Sequence, residues 1–172
     1  MKAEERLVRL GLDLPPAPKP VASYVPLVFA GGGLMSLTAF VSGQVPIEDG
    51  KLLWTGKVGR ELDVATGAKA ARRCGLQILA VLRAELGSLD RVVRVARVGA
   101  FIASADGFTD QPKVANGASD LFVEVFGDRG RHARAAVGVN ELPLGAPVEV
   151  EGTFVVRAPL LRRRWAASPG SR

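Results

Sequence analysis

Residues 63–102 read DVATGAKAARRCGLQILAVLRAELGSLDRVVRVARVGAFI, and within this stretch the apolar spacing changes once. Val64, Ala68, Ala71, Gly75, Ile78, Leu82 and Leu86 recur every three or four positions, the stripe of an amphipathic helix. Asp63 stands where an N-cap belongs and Gly87 where the helix must stop. Val92 to Ile102 then forms a valine-rich run without proline, which predicts a strand. The stretch therefore predicts a helix followed by a strand.

The same reading extends outward. Glu4 to Leu10 predicts a short helix, stopped by Gly11 and followed by a stiff connector at Pro15, Pro16, Pro18 and Pro20. Val25–Phe29 and Leu34–Val41 predict a strand pair around Gly31, Gly32 and Gly33, and Leu52–Thr55 a short extended piece. A second helix is expected from Asp110 to Phe126, capped by Asp110. Pro112 suits its first turn, Val114, Ala118, Leu121 and Val125 form its stripe, and Gly127 ends it. Ala133–Val139 is a strand, Pro143-Leu144-Gly145 a turn, and Pro147–Val156 the last strand. In that strand Val148, Val150, Phe154 and Val156 face one way, while Glu149, Glu151 and Thr153 face the other. The order predicts an α/β (α+β) domain with one mixed sheet and two helices on one face. The opposite face, carrying Glu149 and Glu151, is either wet or covered by another chain. Three segments follow: a helix and connector at 1–20, the domain at 21–157, and a basic tail at 158–172.

Composition narrows the function. The 172 residues are 48% apolar and 23% charged, ordinary for a globular chain with a sizeable core. One cysteine, Cys74, excludes an internal disulfide and a Cys-based zinc site; one histidine, His132, excludes His-rich metal centres. No metal or organic cofactor is expected. Five of the 23 Lys and Arg residues lie in the last sixteen positions, which hold no Asp or Glu, so the body is nearly neutral. A nucleic-acid partner is therefore disfavoured except through the tail, where Arg162-Arg163-Arg164-Trp165 is the best candidate. Pro20 to Ile47 is free of charge and long enough to span a bilayer, but its prolines and glycines favour two buried strands. A soluble, cytoplasmic protein without membrane contact is expected.

Few residues remain for chemistry. Gly31-Gly32-Gly33 lacks the Lys-Ser/Thr ending of a phosphate loop and reads as a hairpin turn. Cys74 reads as a small buried hydrophobe and His132, in a charged turn, as a solvated surface residue. Arg134 stands out inside the apolar run Ala133-Arg134-Ala135-Ala136-Val137. An arginine there needs an anion, and its planar fork suits a carboxylate. Either a ligand provides that carboxylate or an internal salt bridge does, to Glu149 or Glu151 on a neighbouring strand.

The residues around it resemble a known family. Phe40-Val-Ser42-Gly43-Gln44-Val-Pro46 is similar to the early signature of the RidA/YjgF family, also labelled endoribonuclease L-PSP. His132-Ala-Arg134-Ala-Ala136-Val-Gly-Val139, Glu141-Leu-Pro143 and Val148-Glu149-Val-Glu151 resemble its C-terminal signature. Leu12 to Pro26 and Gly107 to Leu121 resemble a longer subgroup, so the likeness covers residues 5 to 157.

That resemblance implies a chorismate-mutase-like fold assembled as a homotrimer with clefts between chains. It implies hydrolysis of small 2-imino or enamine acids to 2-oxo acids and ammonia, without a cofactor. Carried over by motif position, Arg134 would hold the substrate carboxylate and Glu149 would position or activate water. Tyr24, Ser42, Gly43, Asn116 and Ala136 would line the cleft. Two positions depart from the family pattern: Ala136 stands where many members have cysteine, and the hairpin around Gly33 to Thr38 is longer than usual. These departures keep a non-catalytic, metabolite-binding trimer open as an alternative, and the family's second label keeps RNA binding or cleavage open.

Overall fold

The computed structural model describes residues 1–18, 24–31 and 36–157. In chain order the elements are α1 (Ala3–Arg9), β1 (Leu27–Ala30), β2 (Ser36–Gln44), β3 (Ile47–Glu48), β4 (Lys51–Leu52) and α2 (Val64–Leu86), followed by β5 (Val92–Ala103), α3 (Gln111–Phe126), β6 (Ala133–Val139) and β7 (Val148–Arg157). Five strands form one sheet in the order β1-β2-β7-β5-β6, and β3 and β4 make a separate small hairpin. Within the sheet β5 and β6 run parallel and every other pair is antiparallel. A parallel pair needs a crossover connection, and α3 supplies it. Among the described residues no helix is long and apolar enough to cross a membrane.

The expected caps explain the long helix. The Asp63 side chain accepts from the Thr66 amide at 2.7 Å, and Gly87 turns left-handed at φ 79° to close the C-terminus. Ala71, Gly75, Ile78, Leu82 and Leu86 of the expected stripe are buried, as are Cys74, Leu79 and Val81 beside it. Burial is wider than one stripe because α2 is covered by the sheet on one side and α3 on another. The helices approach closely where Gly117 meets Ala68: a methyl group at Gly117 would overlap the Ala68 carbonyl.

The second helix departs from expectation at its start. Asp110 makes no side-chain cap; its carboxylate pairs instead with Lys113 at 3.0 Å, one turn into the helix. Pro112 does occupy the first turn, and Val114, Ala118, Leu121 and Val125 are fully buried. The N-terminal helix forms a third helical element packed on α3. Ala3 and Leu7 are buried there, Glu4 accepts the Leu89 amide at 2.8 Å, and Arg6 donates to the Glu124 carbonyl at 3.3 Å.

The strand pair holds, although β1 starts at Leu27 rather than Val25 and β2 continues to Gln44. Of the expected extended piece Leu52–Thr55, only Leu52 is in a strand. The Gly32–Gly33 turn, the first part of the lengthened hairpin, the end of the proline-rich connector and the 158–172 tail lie outside the described residues. On β7, Val148, Val150, Phe154 and Val156 are fully buried under the helices, while Glu149, Glu151 and Thr153 point to the uncovered face. Phe154 meets Phe122 of α3 edge to face, with ring centres 5.8 Å apart.

Candidate functional site

Strand register decides which side chains can meet. In the sheet Arg134 lies opposite Val98, and Val98 lies opposite Gly152, so all three share the helix-covered face. Glu149 lies opposite Phe101, three residues on from Val98, and therefore shares the uncovered face. Strand β5 also separates β6 from β7. The internal salt bridge to Glu149 or Glu151, one of the two alternatives for Arg134, is thus not formed. Glu151 pairs instead with Arg97 of β5 at 2.9 Å.

Arg134 is exposed although it faces the helices, because β6 is an edge strand that α3 covers only in part. Its Nη1 donates to the Asn116 side-chain carbonyl at 2.8 Å and to the Ser119 hydroxyl at 3.0 Å. Asn116 and Ser119 are three residues apart on α3 and so lie on one side of that helix. Both partners are neutral, and among the described residues no carboxylate lies within ion-pair distance of this guanidinium. Nη1 has two N–H bonds and both are used, which leaves the Nε–Nη2 edge as a bidentate donor. Ala136, two residues along the strand, lies on the same face and packs against the core.

His132 corrects its sequence reading. It is half-buried, with Nδ1 2.6 Å from the Gly130 carbonyl and Nε2 3.0 Å from the Ser119 hydroxyl, and its ring stands edge-on to Phe122. Burial, and then the nearby Arg134 charge, hold its pKa below the usual histidine value, against the opposing effect of the Gly130 carbonyl. A solvated turn residue would show none of these contacts. Ser119 is not among the candidate residues above; its signal in the sequence is the three-residue spacing from Asn116.

The second group lies on the uncovered face. A β-bulge in β2 between Val41 and Gln44 carries Ser42 and Gly43. The Glu149 carboxylate sits so close over Gly43 that any side chain there would overlap it. Ser42 donates to the Val25 carbonyl at 2.8 Å, tying the bulge to the segment that follows the exposed Tyr24. Glu149 is half-buried, and its pKa is raised first by that burial and second by the neighbouring Glu151. On the same face of the sheet Val28, Phe40 and Val137 are exposed.

The chain thus brings Arg134, Asn116 and Ala136 together on one face and Ser42, Gly43 and Glu149 together on the other. Cys74 belongs to neither group: it is fully buried, and burial pushes its thiol pKa up. Two open depressions among the described residues, one beside α1 and one at the start of α2, are lined by no member of either group. Among the described residues no cluster of three His, Cys, Asp or Glu side chains could hold a metal ion.

This sheet order, with two helices on one face and an arginine on a parallel edge strand, defines a chorismate-mutase-like α+β protein. The chain belongs to the family described as "YjgF/chorismate mutase-like, putative endoribonuclease", whose model matches residues 4–150. It is 49% identical over 146 residues to Protein TCP17 of Trypanosoma cruzi, covering 84% of this chain and 88% of that one. The solved structure of Atu1372 from Agrobacterium tumefaciens is 44% identical, with a TM-score of 0.79 over 90% of this chain and 92% of that one. A protein from Shewanella oneidensis described as a putative endoribonuclease is 32% identical, with a TM-score of 0.81 over 90% and 99% of the two chains.

Proposed function

We propose that the protein hydrolyses small 2-imino acids, and their enamine tautomers, to 2-oxo acids and ammonia. The observation that carries this reading is the state of Arg134. The side chain is held by neutral partners, faces no carboxylate among the described residues, and keeps its Nε–Nη2 edge available for one.

The chemistry needs little beyond anchoring and a placed water, because imines hydrolyse unaided. Arg134 would bind the substrate carboxylate and so fix the C=N carbon. Glu149 would take a proton from water as its oxygen attacks that carbon, and the imine nitrogen would gain a proton. Collapse of the resulting 2-amino-2-hydroxy acid expels ammonia and leaves the 2-oxo acid. The pKa of Glu149 is raised in the single chain, the direction that suits a group that must accept and return a proton.

One chain does not bring the two groups together, so the reading includes assembly. A second copy set against the uncovered face would bring its own Arg134 edge to the Glu149 group and cover Val28, Phe40 and Val137. We propose a homotrimer with three such interchain clefts. Asn116 then positions Arg134, while Tyr24, Ser42 and Gly43 line the water side. Two further readings remain behind this one. A metabolite-binding trimer without turnover shares the same cleft. RNA handling rests on the family's description and on the 158–172 tail.

The test is release of 2-oxo acid from enzymatically generated 2-aminoacrylate and 2-iminobutanoate. Arg134→Ala is expected to lower kcat/KM at least about a hundredfold, the loss of a charge-assisted bidentate anchor, with unchanged thermal stability. Equal rates with wild type, mutant and no protein would sink the reading.

A further inference from the structure

A chain of hydrogen bonds runs from the Gly130 carbonyl through His132 and Ser119 to Arg134. Its directions follow from its ends. A nitrogen 2.6 Å from a carbonyl oxygen must carry a proton, so Nδ1–H donates to Gly130. In the neutral ring Nε2 is then a bare acceptor, and among the described residues the proton available to it is that of the Ser119 hydroxyl, 3.0 Å away. With its proton committed to the histidine, Ser119 oxygen can only accept from Arg134, which it does at 3.0 Å.

We propose that His132 and Ser119 are positioning residues for Arg134, forming a one-way relay that presents the guanidinium's Nε–Nη2 edge to the substrate carboxylate. Without the imidazole acceptor, the hydroxyl rotor is free to turn its hydrogen toward the guanidinium, which has no lone pair to accept it and is then repelled. The relay also explains why a histidine follows the charged turn 128–131: its ring is wedged against Phe122 and its Nδ1 is locked to the turn itself. Burial and the Arg134 charge favour the neutral ring, the form the relay needs. The inference rests on the carboxylate-anchoring role proposed for Arg134 and adds two residues on which that anchor's geometry depends.

His132 is the only histidine in the chain, so its ring can be read directly in the intact protein. Long-range proton–nitrogen NMR near pH 7.5 is expected to show the Nδ1-protonated tautomer. The Nε2-protonated tautomer would overturn the relay. Kinetics then test its consequence. Ser119→Ala and His132→Phe, which keeps the ring against Phe122, should each raise KM for 2-iminobutanoate about tenfold while kcat changes much less. The double variant should be no worse than either single one, because both remove the same relay. His132→Gln, which restores an acceptor oxygen toward Ser119, should recover part of the loss. Additive effects, an unchanged KM, or a drop in melting temperature and kcat at constant KM would overturn the positioning role. Calorimetric affinity for 2-oxobutanoate separates this inference from the deaminase reading. If wild type binds it, the variants bind it more weakly, and no protein turns over imine, the deaminase reading falls and the relay stands. If affinity is the same in all of them, the relay falls.

Discussion

Alternate residues of β7 face two different environments. Val148, Val150, Phe154 and Val156 are sealed under α2 and α3, whereas Glu149, Glu151 and Thr153 stay partly open on the other side. On β7 the covered side is apolar and packed within one chain. The open face mixes carboxylates with exposed Phe40 and Val28 and holds half of the candidate site. The core and the Glu149 half of the candidate site therefore lie on opposite sides of one sheet. Arg134 is the exception that joins them: it shares the covered face by register but reaches solvent because its strand is the edge.

The largest effect should come from the covered face. Phe154→Ala removes a fully buried ring that packs on Phe122, and is expected to destabilise the fold by about 3–5 kcal/mol. Thr153→Ala, one residue away on the open face, should stay within about 0.5 kcal/mol. Denaturant unfolding of the pair measures the difference directly. Similar losses for both would mean that the two faces are not separate in stability.

A smaller effect, confined to the open face, tests assembly. Phe40 stands opposite Thr153 and is 48% exposed in the single chain. If another copy covers it, Phe40→Asp would bury an unpaired charge at a cost of about 2–3 kcal/mol per interface. The expected result is a fall in solution mass from three copies to one, with the far-ultraviolet spectrum retained and imine hydrolysis lost. Wild type with the mass of a single chain would remove the interchain cleft altogether.

The covered face was legible in the sequence because burial writes a period. The stripes of α2 and α3 and the alternation of β7 follow from local spacing, and the Asp63 and Gly87 caps follow from local hydrogen bonding. The failures have local or long-range competitors. Asp110 looked like a cap, but Lys113 lies one turn on and takes its carboxylate. His132 looked solvated because its partners, Ser119 and Phe122, come from a helix far enough back that only packing brings them near. The candidate site was half legible: motif resemblance picked out Arg134, Glu149, Ser42, Gly43 and Asn116. What it hid was parity. Whether Arg134 and Glu149 share a face depends on the pairing of Val98 and Phe101 along β5, and no local pattern encodes that register.

The smallest effect separates stability from chemistry at a single atom. Glu149 is half-buried with Glu151 beside it, and both influences raise its pKa above the ordinary 4.5. A carboxyl raised in the folded state binds its proton more tightly there than in the unfolded chain. Between pH 4.5 and the raised value, stability must therefore fall as pH rises, and above that window the penalty is complete. In the single-copy Phe40→Asp background, where no second Arg134 faces residue 149, Glu149→Gln removes the ionising group and with it the penalty. At pH 8 this variant should melt higher than its Phe40→Asp parent, by on the order of 2 °C. That gain should shrink as the pH is lowered and vanish below about 4.5, where both side chains are neutral. Imine hydrolysis by Glu149→Gln in the otherwise unchanged protein should be lost at every pH, because glutamine cannot take a proton from water. A stability gain that stayed constant down to pH 4 would show that better packing, and not relief of a half-buried charge, is responsible. The open face would then hold Glu149 without electrostatic cost, and the contrast with the covered face would rest on assembly alone.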